Sequence, residues 1–464
     1  MVMRQTFIIS TKFKGVVKIN SIAVVICNWN KRDFLDRCVS SVINSSFREL
    51  DIIVVDNAST DGSANLIRRN YGSKVQVIEN LENLGGAGGF NTGIQLALEK
   101  GYKYIHLLDN DVVIHPLAIK HLYEYMELHD DVGIAGSLIY SLDQPDCIQE
   151  AGARIDFNNF NINLNYSGFI NASNIKQEIE CDYVPACSMM IRTEALKKAG
   201  TMDPNYFIYW DDIDLGYRIK NAGYRIVSYT PSIVWHKKGA STKTNTFSTY
   251  YFWRNRIHFF LSYLKNEQLD DFARQIIKEI FQVIYICNYR QQYNIPKTIL
   301  LALEDALNGV RGKAPEGRIF IREQIRDRFT EFVLGQQRIL LVTNCDIRIT
   351  RSVVEKIGIS KIAGIICKEG EDIKKLSRQF PTINIRSVYE KGTLPSIAVY
   401  NHVLDADFTN DIDLYVDQYF NVVQSEEDRH YMANYKTMYQ IYQNIYFPVL
   451  KQRFLDWREK NKIS

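Results

Sequence analysis

The chain contains 464 residues with a mass of 53.8 kDa, and this length predicts about two to four domains. Hydrophobic residues make up 46% and charged residues 23% of the sequence, a balance that excludes a disordered or a fibrous protein. The formal net charge of +3 comes from 56 basic and 53 acidic residues. This near-cancellation excludes a protein whose main role is to neutralise a nucleic-acid backbone, because such proteins carry a clustered basic excess.

The eight cysteines contain no CxxC pair, so the sequence favours reduced thiols in a cytoplasmic protein over a structural zinc site. The basic extension at residues 1–20 contains apolar stretches that are too short for a signal peptide. No stretch approaches ~18 uninterrupted apolar residues. We therefore expect a cytoplasmic protein that spans no membrane and at most contacts the inner face of the cell membrane.

From Ser21 onward, apolar runs of strand length alternate with segments of helical periodicity. This alternation predicts a mostly parallel α/β sheet of the Rossmann-like kind, with helices on both faces. The glycine-rich segment Gly85–Gly89 is predicted to be a loop. The predicted strands and helices up to residue 108 are strands 22–27, 51–55, 75–79 and 104–108 and helices 34–43, 63–70 and about 90–100.

Residues 147–181 predict an inserted antiparallel hairpin, followed by helices at 193–199 and 210–221 and strands at 224–229 and 232–235. A segment with three glycines and a proline, residues 309–317, predicts a linker. The chain is thus divided into an extension (1–20), a catalytic domain (21–264), a helical extension with linker (265–337) and a small α/β domain with a C-terminal helix (338–464).

Asp109 and Asp111 follow a buried strand and are separated by one residue. At a strand end, residues i and i+2 project to the same side, so the two carboxylates can converge on one cation. They suit Mg²⁺ or Mn²⁺, which takes few protein oxygens and leaves positions for substrate phosphates. An acidic turn after a strand also commonly caps the next helix. The position in the sheet favours a ligand site, because open parallel sheets bind ligands beyond the carboxyl ends of their strands.

Polar residues follow the other predicted strands as well, namely Asn28–Asn30, Asp56 with Asn57, and Asn83 before the glycines. Asp56 either accepts a hydrogen bond from a base N–H or caps a turn. The glycines allow a ligand to approach the backbone closely. They do not match the dinucleotide fingerprint, and no Walker lysine accompanies them.

Asp211, Asp212 and Asp214 lie at a predicted helix start, where acids are also favoured by the helix dipole. Asp214 and Arg218 are four residues apart and are predicted to pair. Asp211 and Asp212 have no such predicted partner and are candidates for a functional role, since a carboxylate beside a bound sugar can act as a general base. Trp210 could offer a ring face to the sugar.

His236 ends a late strand of the same predicted sheet, and a neutral imidazole is a suitable third ligand for Mn²⁺. Lys237, Lys238 and Lys243 follow in a loop rich in glycine, serine and threonine. These lysines either screen a diphosphate leaving group or belong to a solvated loop.

Six segments, taken in chain order, resemble the inverting nucleotide-sugar glycosyltransferases of family 2, which have the GT-A fold: VVICNWNKRDFLDRCVSS, IIVVDNASTDGS, ENLGGAGGFNTGI, LLDND, FIYWDDIDLGYRIKNAGY and IVWH. The resemblance covers residues 21 to about 264. The sequence is most similar to the galactofuranosyltransferase and rhamnosyltransferase-like branch, whose members extend bacterial polysaccharides. Phe252 stands where the galactofuranosyl branch carries a histidine, so other hexoses and rhamnose stay open as donor sugars.

The resemblance implies an inverting transfer with Asp212 as the base and with Mn²⁺ or Mg²⁺ held by Asp109, Asp111 and His236. Contacts to the sugar are implied for Trp210 and Asp211. The donor would be a UDP- or dTDP-sugar and the acceptor a glycan, expected to be lipid-linked. The residues implied in donor binding are Trp29, Lys31, Asp56, Asn83, Gly85, Gly86 and Asn110.

Two other functions stay open at this point. One is a non-catalytic nucleotide-sugar or glycan-binding protein. The presence of the acids Asp109, Asp111 and Asp212 argues against this function. The other is a nucleotidyltransferase, in which the helix start at Asp212 and the strand end at His236 have no obvious use. The small C-terminal domain is expected to be an accessory or homo-oligomerisation domain. The aromatic segment 281–293 either lies at a membrane interface or packs against the catalytic domain.

Overall fold

The computed structural model describes residues 20–169, 175–237, 244–343, 345–367, 370–388, 392–409 and 411–463. Residue contacts divide the chain into two compact units. The first comprises residues 1–155 and 162–240, and the second comprises residues 156–161 and 241–464. Lys238, Lys243 and residues 1–19 of the predicted extension lie outside the described residues.

The elements up to residue 236 are β1 (Ile22–Asn28), α1 (Arg32–Ile43), β2 (Leu50–Asp56), α2 (Ser63–Tyr71), β3 (Val75–Glu79), α3 (Gly85–Lys100), β4 (Tyr104–Asp109), β5 (Val112–Ile114), α4 (Ala118–Leu128), β6 (Val132–Ser141), β7 (Ile148–Glu150), β8 (Ala153–Asp156), β9 (Asn161–Leu164), β10 (Glu178–Cys181), β11 (Ser188–Arg192), α5 (Thr193–Ala199), α6 (Asp211–Asn221) and β12 (Arg225–His236).

Ten of these strands form one sheet in the order β10-β12-β6-β11-β4-β1-β2-β3, with β5 paired to β12 and β7 paired to β6. β1, β2, β3, β4, β6 and β12 share one direction, and β11 runs antiparallel between β4 and β6. β8 and β9 form the predicted hairpin. The carboxyl ends of the six parallel strands therefore meet at one edge of the sheet.

The sheet has a core on each face, as the alternation of β1 shows. Ile22, Val24 and Ile26 are buried in a cluster with residues of α1, α2 and α4. Ala23 and Val25 are buried in a second cluster with residues of α3, α5 and α6. Successive side chains of a strand point to opposite faces, so a continuous apolar run becomes a strand covered on both sides. The predicted α/β fold class is thereby confirmed.

The structure differs from the sequence expectation at Gly85–Gly89, which forms the first turn of α3 instead of a loop. Glycine has a low helix propensity, which is the basis of the loop expectation. Tertiary packing decides otherwise, because a Cβ atom on Gly89 would overlap the Sγ atom of Cys27. A Cβ atom on Gly93 in the same helix would likewise overlap Cγ1 of Val25. These glycines allow α3 to lie close against β1.

Two further expectations concern the end of the first unit. The strands predicted at 224–229 and 232–235 are one continuous strand, β12, whose pairing with β6 shifts register between Tyr229 and Ile233. The predicted pair on α6 is confirmed, since Arg218 Nε lies 2.7 Å from Asp214 Oδ2.

The second unit begins with helices and ends in a small α/β fold. Its elements are α7 (Phe247–Tyr263), α8 (Leu269–Tyr289), α9 (Asn294–Leu307), α10 (Arg328–Leu334), β13 (Ile339–Thr343), α11 (Ile347–Ile357), β14 (Ile362–Ile366), α12 (Gly370–Gln379), β15 (Ile385–Arg386), β16 (Ser396–Tyr400), β17 (Leu414–Asp417), β18 (Val422–Val423), α13 (Glu426–Ala433) and α14 (Tyr435–Lys460).

The second sheet has the order β15-β14-β13-β16-β17-β18 and is parallel except for β18. In the aromatic segment 281–293, Phe281 and Tyr285 are buried. Phe281 stacks against Tyr435 of α14, and Tyr285 contacts the same ring edge-on. These two side chains therefore pack inside the second unit. Among the described helices, none is both long enough and apolar enough to cross a membrane.

Gly93→Ala tests whether close packing, and not helix propensity, explains the glycines of α3. Alanine in a helix normally adds about 0.5–1 kcal/mol of stability relative to glycine. Here the new methyl group would overlap the buried, stiff side chain of Val25, and overpacking costs about 1–3 kcal/mol. We expect a net loss of stability, measured by urea unfolding. Gln95→Ala, on the exposed side of the same helix, should be neutral or slightly stabilising, and an equal gain in Gly93→Ala would contradict the packing explanation.

Candidate metal and sugar-transfer site

The candidate metal site forms where the chain turns back after β4. Asp109 ends β4, and after a two-residue turn β5 pairs antiparallel with the last residues of β12. This pairing places Val112 opposite His236. The backbone N–H of Lys237 also donates to the carbonyl of Asp111 at 3.1 Å. The end of β12 is thus fastened beside the two acids.

Asp109, Asp111 and His236 come together as the sequence predicts. His236 Nε2 lies 3.3 Å from Asp111 Oδ1 and 3.9 Å from Asp109 Oδ2. One ligand atom from each side chain lies within 4.8 Å of the other two. Two carboxylate oxygens and one imidazole nitrogen are a suitable donor set for Mn²⁺, and they leave positions for other ligands. The residues present therefore fit a divalent ion.

The charged side chains of this cluster shift one another's pKa values. Burial and the charge of Asp111 raise the pKa of Asp109 to about 6. Burial also acts to raise the pKa of Asp111, but the hydrogen bond from His236 and the charges of His236 and Lys31 bring it below its ordinary value. Burial acts to lower the pKa of His236, yet its hydrogen bond to Asp111 and the two carboxylates raise it. The site thus attracts positive charge.

Lys31 and Gln149 complete the immediate surroundings of the cluster. Lys31 precedes α1, and its Nζ donates to Asp111 Oδ2 at 2.6 Å. Gln149 of β7 makes two hydrogen bonds to His236, one to the ring and one to the backbone carbonyl. Lys31 is among the predicted site residues. Gln149 is not, because no sequence pattern links an edge strand to the end of β12.

A chain of side-chain hydrogen bonds connects the loops after β4, β1 and β2. Asn110 Nδ2 donates to Asn28 Oδ1 at 2.7 Å, and Asn28 Nδ2 donates to Asp56 Oδ1 at 3.1 Å. Asp56 Oδ2 accepts from the backbone N–H of Ser59 at 2.9 Å. Asp56 is 2% exposed. Trp29, in contrast, is 50% exposed beside this chain of contacts.

Asn57 organises the segment that leads into α3. Its Nδ2 donates to Asn83 Oδ1 at 3.0 Å and to the carbonyl of Gly85 at 2.8 Å. Asn83 Oδ1 also accepts from the backbone N–H of Gly85. Gly86 is the glycine of this turn with the most room, since a Cβ there would have no neighbour closer than 3.9 Å. One of those neighbours is Asp211 Oδ2.

Asp211 and Asp212 open α6. Asp212 Oδ2 accepts from the backbone N–H of Ala186 at 3.4 Å, and Oδ1 accepts from that of Ile213 at 2.9 Å. Burial raises the pKa of Asp212 to about 6, with a contribution from the charge of Asp109. Burial and the neighbouring Asp212 raise the pKa of Asp211 well above its ordinary value. The two acids at the helix start are therefore within electrostatic reach of the metal cluster.

The turn before α6 differs from what the sequence suggests. Phe207, Tyr209 and Trp210 all have left-handed backbone conformations, with φ of 67°, 63° and 69°. Side chains with a Cβ atom rarely adopt these values, and no sequence signal marks them here. Trp210 is 1% exposed, so its ring presents no open face to a sugar in this structure.

Comparisons with known proteins identify a family and several relatives for this chain. A family model described as glycosyltransferase like family 2 matches residues 20–255. The chain is similar to a UDP-Glc:alpha-D-GlcNAc-diphosphoundecaprenol beta-1,3-glucosyltransferase of Escherichia coli, at 28% identity over 23% of this chain and 41% of the relative. It is also similar to an N-acetylglucosaminyl-diphospho-decaprenol L-rhamnosyltransferase of Mycobacterium tuberculosis, at 24% identity over 47% of this chain and 76% of the relative.

Among solved structures, the crystal structure of GalNAc-T7 with UDP, GalNAc and Mn²⁺ aligns with a TM-score of 0.44 and 16% identity. That alignment covers 56% of this chain and 51% of the other. The chain spans about two fifths of the length of the first curated relatives that it matches. Residues 20–255 make up just over half of the 464 residues. The chain therefore belongs to glycosyltransferase family 2.

Proposed function

We propose that the protein is a metal-dependent, inverting glycosyltransferase that moves a sugar from a UDP- or dTDP-sugar to a hydroxyl of a growing bacterial polysaccharide. The observation that carries the proposal is the convergence of Asp109, Asp111 and His236 at the carboxyl edge of the sheet, within electrostatic reach of Asp212. Open α/β sheets bind their ligands at this edge.

The names of two relatives support the substrate classes. One relative is named for a UDP-Glc donor, and both names contain a diphosphate-linked prenol as part of the acceptor. We accordingly propose a nucleotide-sugar donor and a lipid-linked glycan acceptor, met at the cytoplasmic face of the membrane. Rhamnose and other hexoses are the candidate transferred sugars.

The donor would lie along the strand ends. Asp109, Asp111 and His236 would hold Mn²⁺ or Mg²⁺. When bound, the ion supplies positive charge that offsets the negative charge of the departing diphosphate. Trp29 offers a half-exposed ring at this edge to a nucleobase. The other proposed donor contacts are Lys31, Asp56, Asn83, Gly85, Gly86 and Asn110. Lys31 donates directly to Asp111, and Asp56 and Asn110 are linked through the side chain of Asn28.

Asp212 would be the base that accepts the proton of the acceptor hydroxyl. Two backbone N–H groups fix the orientation of its carboxylate. Burial raises the pKa of Asp212, which makes its carboxylate a stronger base than that of an ordinary aspartate. The activated hydroxyl would attack the anomeric carbon in line with the leaving diphosphate, which inverts the configuration. Asp211, beside it, is proposed to contact the sugar.

Asp109→Ala tests the metal assignment. Loss of an outer-shell partner typically weakens metal binding about 10- to 100-fold. Asp109 would supply a ligand atom itself, so its loss should weaken Mn²⁺ binding by at least about 100-fold. Titration calorimetry of the donor-free protein measures this affinity, and Mn²⁺-dependent UDP binding should disappear in the same variant. Asp130→Ala is the matched control, because Asp130 is 93% exposed and precedes β6 at the opposite edge of the sheet. Unchanged Mn²⁺ affinity in Asp109→Ala would remove the metal site from the proposal.

Asp212→Asn tests the base. Asparagine keeps the shape of the side chain but cannot accept the proton, so transfer should fall about 10²- to 10⁴-fold. Mn²⁺-dependent UDP affinity should stay close to that of the unchanged protein. The measurement is turnover on a panel of UDP- and dTDP-sugars with a lipid-linked acceptor, with Asp130→Asn as control. Normal transfer by Asp212→Asn would show that another group takes the proton.

A further inference from the structure

We propose that Gln149 is a positioning residue that holds the imidazole of His236 with Nε2 directed toward Asp109 and Asp111. The inference rests on the proposed function, since it concerns the ion that these side chains would hold. Gln149 lies on β7, far in sequence from the other residues of the site.

Two hydrogen bonds fix which end of the Gln149 amide faces which group. Its Nε2 lies 2.6 Å from the backbone carbonyl of His236, and a carbonyl can only accept, so the NH₂ group must be there. The remaining amide oxygen, Oε1, then lies 3.1 Å from His236 Nδ1. An amide oxygen can also only accept, so Nδ1 must carry the hydrogen of this bond.

The protonation of Nδ1 decides what His236 can do. In the neutral ring, a hydrogen on Nδ1 leaves the lone pair on Nε2, and Nε2 is the atom that faces Asp109 and Asp111. A histidine that binds a metal through one nitrogen usually donates its other N–H to an acceptor, which fixes the ring and raises its basicity. Gln149 is placed to be that acceptor.

Gln149 itself is held in place by its strand. Ile148 is fully buried in a small cluster with Leu138 and Ala151. β7 pairs with β6, and the register shifts between Ile139 and Tyr140. Bulges of this kind often redirect a side chain beside a site. The backbone of β7 therefore fixes where the Gln149 amide can reach.

The bond from Gln149 Nε2 to the His236 carbonyl could by itself serve only to tie β7 to β12. Two substitutions separate these roles. Gln149→Met keeps the length of the side chain and removes both hydrogen bonds. Gln149→Glu also removes the bond to the carbonyl, but its carboxylate can still accept from Nδ1–H. A positioning role is lost only in the methionine variant, whereas a structural tie is lost in both.

The experiment uses Mn²⁺ alone, without donor or turnover. The electron paramagnetic resonance signal of free Mn²⁺ gives the affinity, and electron spin echo modulation detects ¹⁴N bound to the metal. We expect Gln149→Met to weaken Mn²⁺ binding about 10- to 100-fold, as loss of an outer-shell partner does, and to diminish the nitrogen signal. Gln149→Glu should keep both. Gln144→Met, at an exposed position on the turn before β7, should match the unchanged protein, and His236→Ala sets the level without nitrogen.

Two results would overturn the inference. One is Gln149→Met with the affinity and nitrogen signal of the unchanged protein, and the other is Gln149→Glu as impaired as Gln149→Met. Failure of the proposed function gives a different pattern, in which Mn²⁺ binding is insensitive to Asp109→Ala. In that pattern the nitrogen signal is absent from the unchanged protein as well.

Discussion

The antiparallel pairing of β5 with the end of β12 is the contact on which the candidate metal site depends. β4 and β12 are separated in the sheet by β11 and β6, so strand order alone does not bring their ends together. β5 turns back after Asp111 and crosses to β12 in a register that sets Val112 opposite His236. Because side chains alternate along a strand, a slip of one residue would turn the imidazole to the other face of the sheet. The 3.3 Å separation of His236 Nε2 and Asp111 Oδ1 is therefore a consequence of register.

Asparagine amides, together with the carboxylate of Asp56, hold the strand ends around this charged cluster. Asn110, Asn28 and Asp56 form one chain of hydrogen bonds across three neighbouring strands, and Asn57 ties the next loop to the start of α3. A buried polar network that is well satisfied is rigid, whereas an unpaired group in it would be costly. The two carboxylates of the cluster repel each other, so their loops need support from outside. The asparagine amides of this network provide that support without adding to the repulsion.

The sequence predicts the parts of the site that follow from local rules. Asp109 and Asp111 are found through the same-side rule for residues i and i+2 at a strand end, and α6 through its apolar period and acidic start. The helical start of α3 could not be predicted, because its glycines are selected by contact with β1 and not by propensity. Gln149 could not be found either. Its relation to His236 depends on which strands lie at the edge of the sheet and on an irregular register, neither of which leaves a local pattern.

The position of Asp212 depends on different contacts from those that position the candidate metal site. It follows a turn in which Phe207, Tyr209 and Trp210 are left-handed, and such conformations cost about 1–3 kcal/mol each. Burying a large apolar side chain contributes about 1.5–3 kcal/mol, which is enough to offset that cost at Phe207 and Trp210, the two buried residues of this turn. Phe207 is 6% and Trp210 is 1% exposed. The carbonyl of Phe207 also accepts from the backbone N–H of Ala87 at the start of α3. Burial of the aromatic rings thus holds the strained turn, and this explains why Trp210 lies in the core. Its contribution to the site is to fix the helix start that presents Asp212.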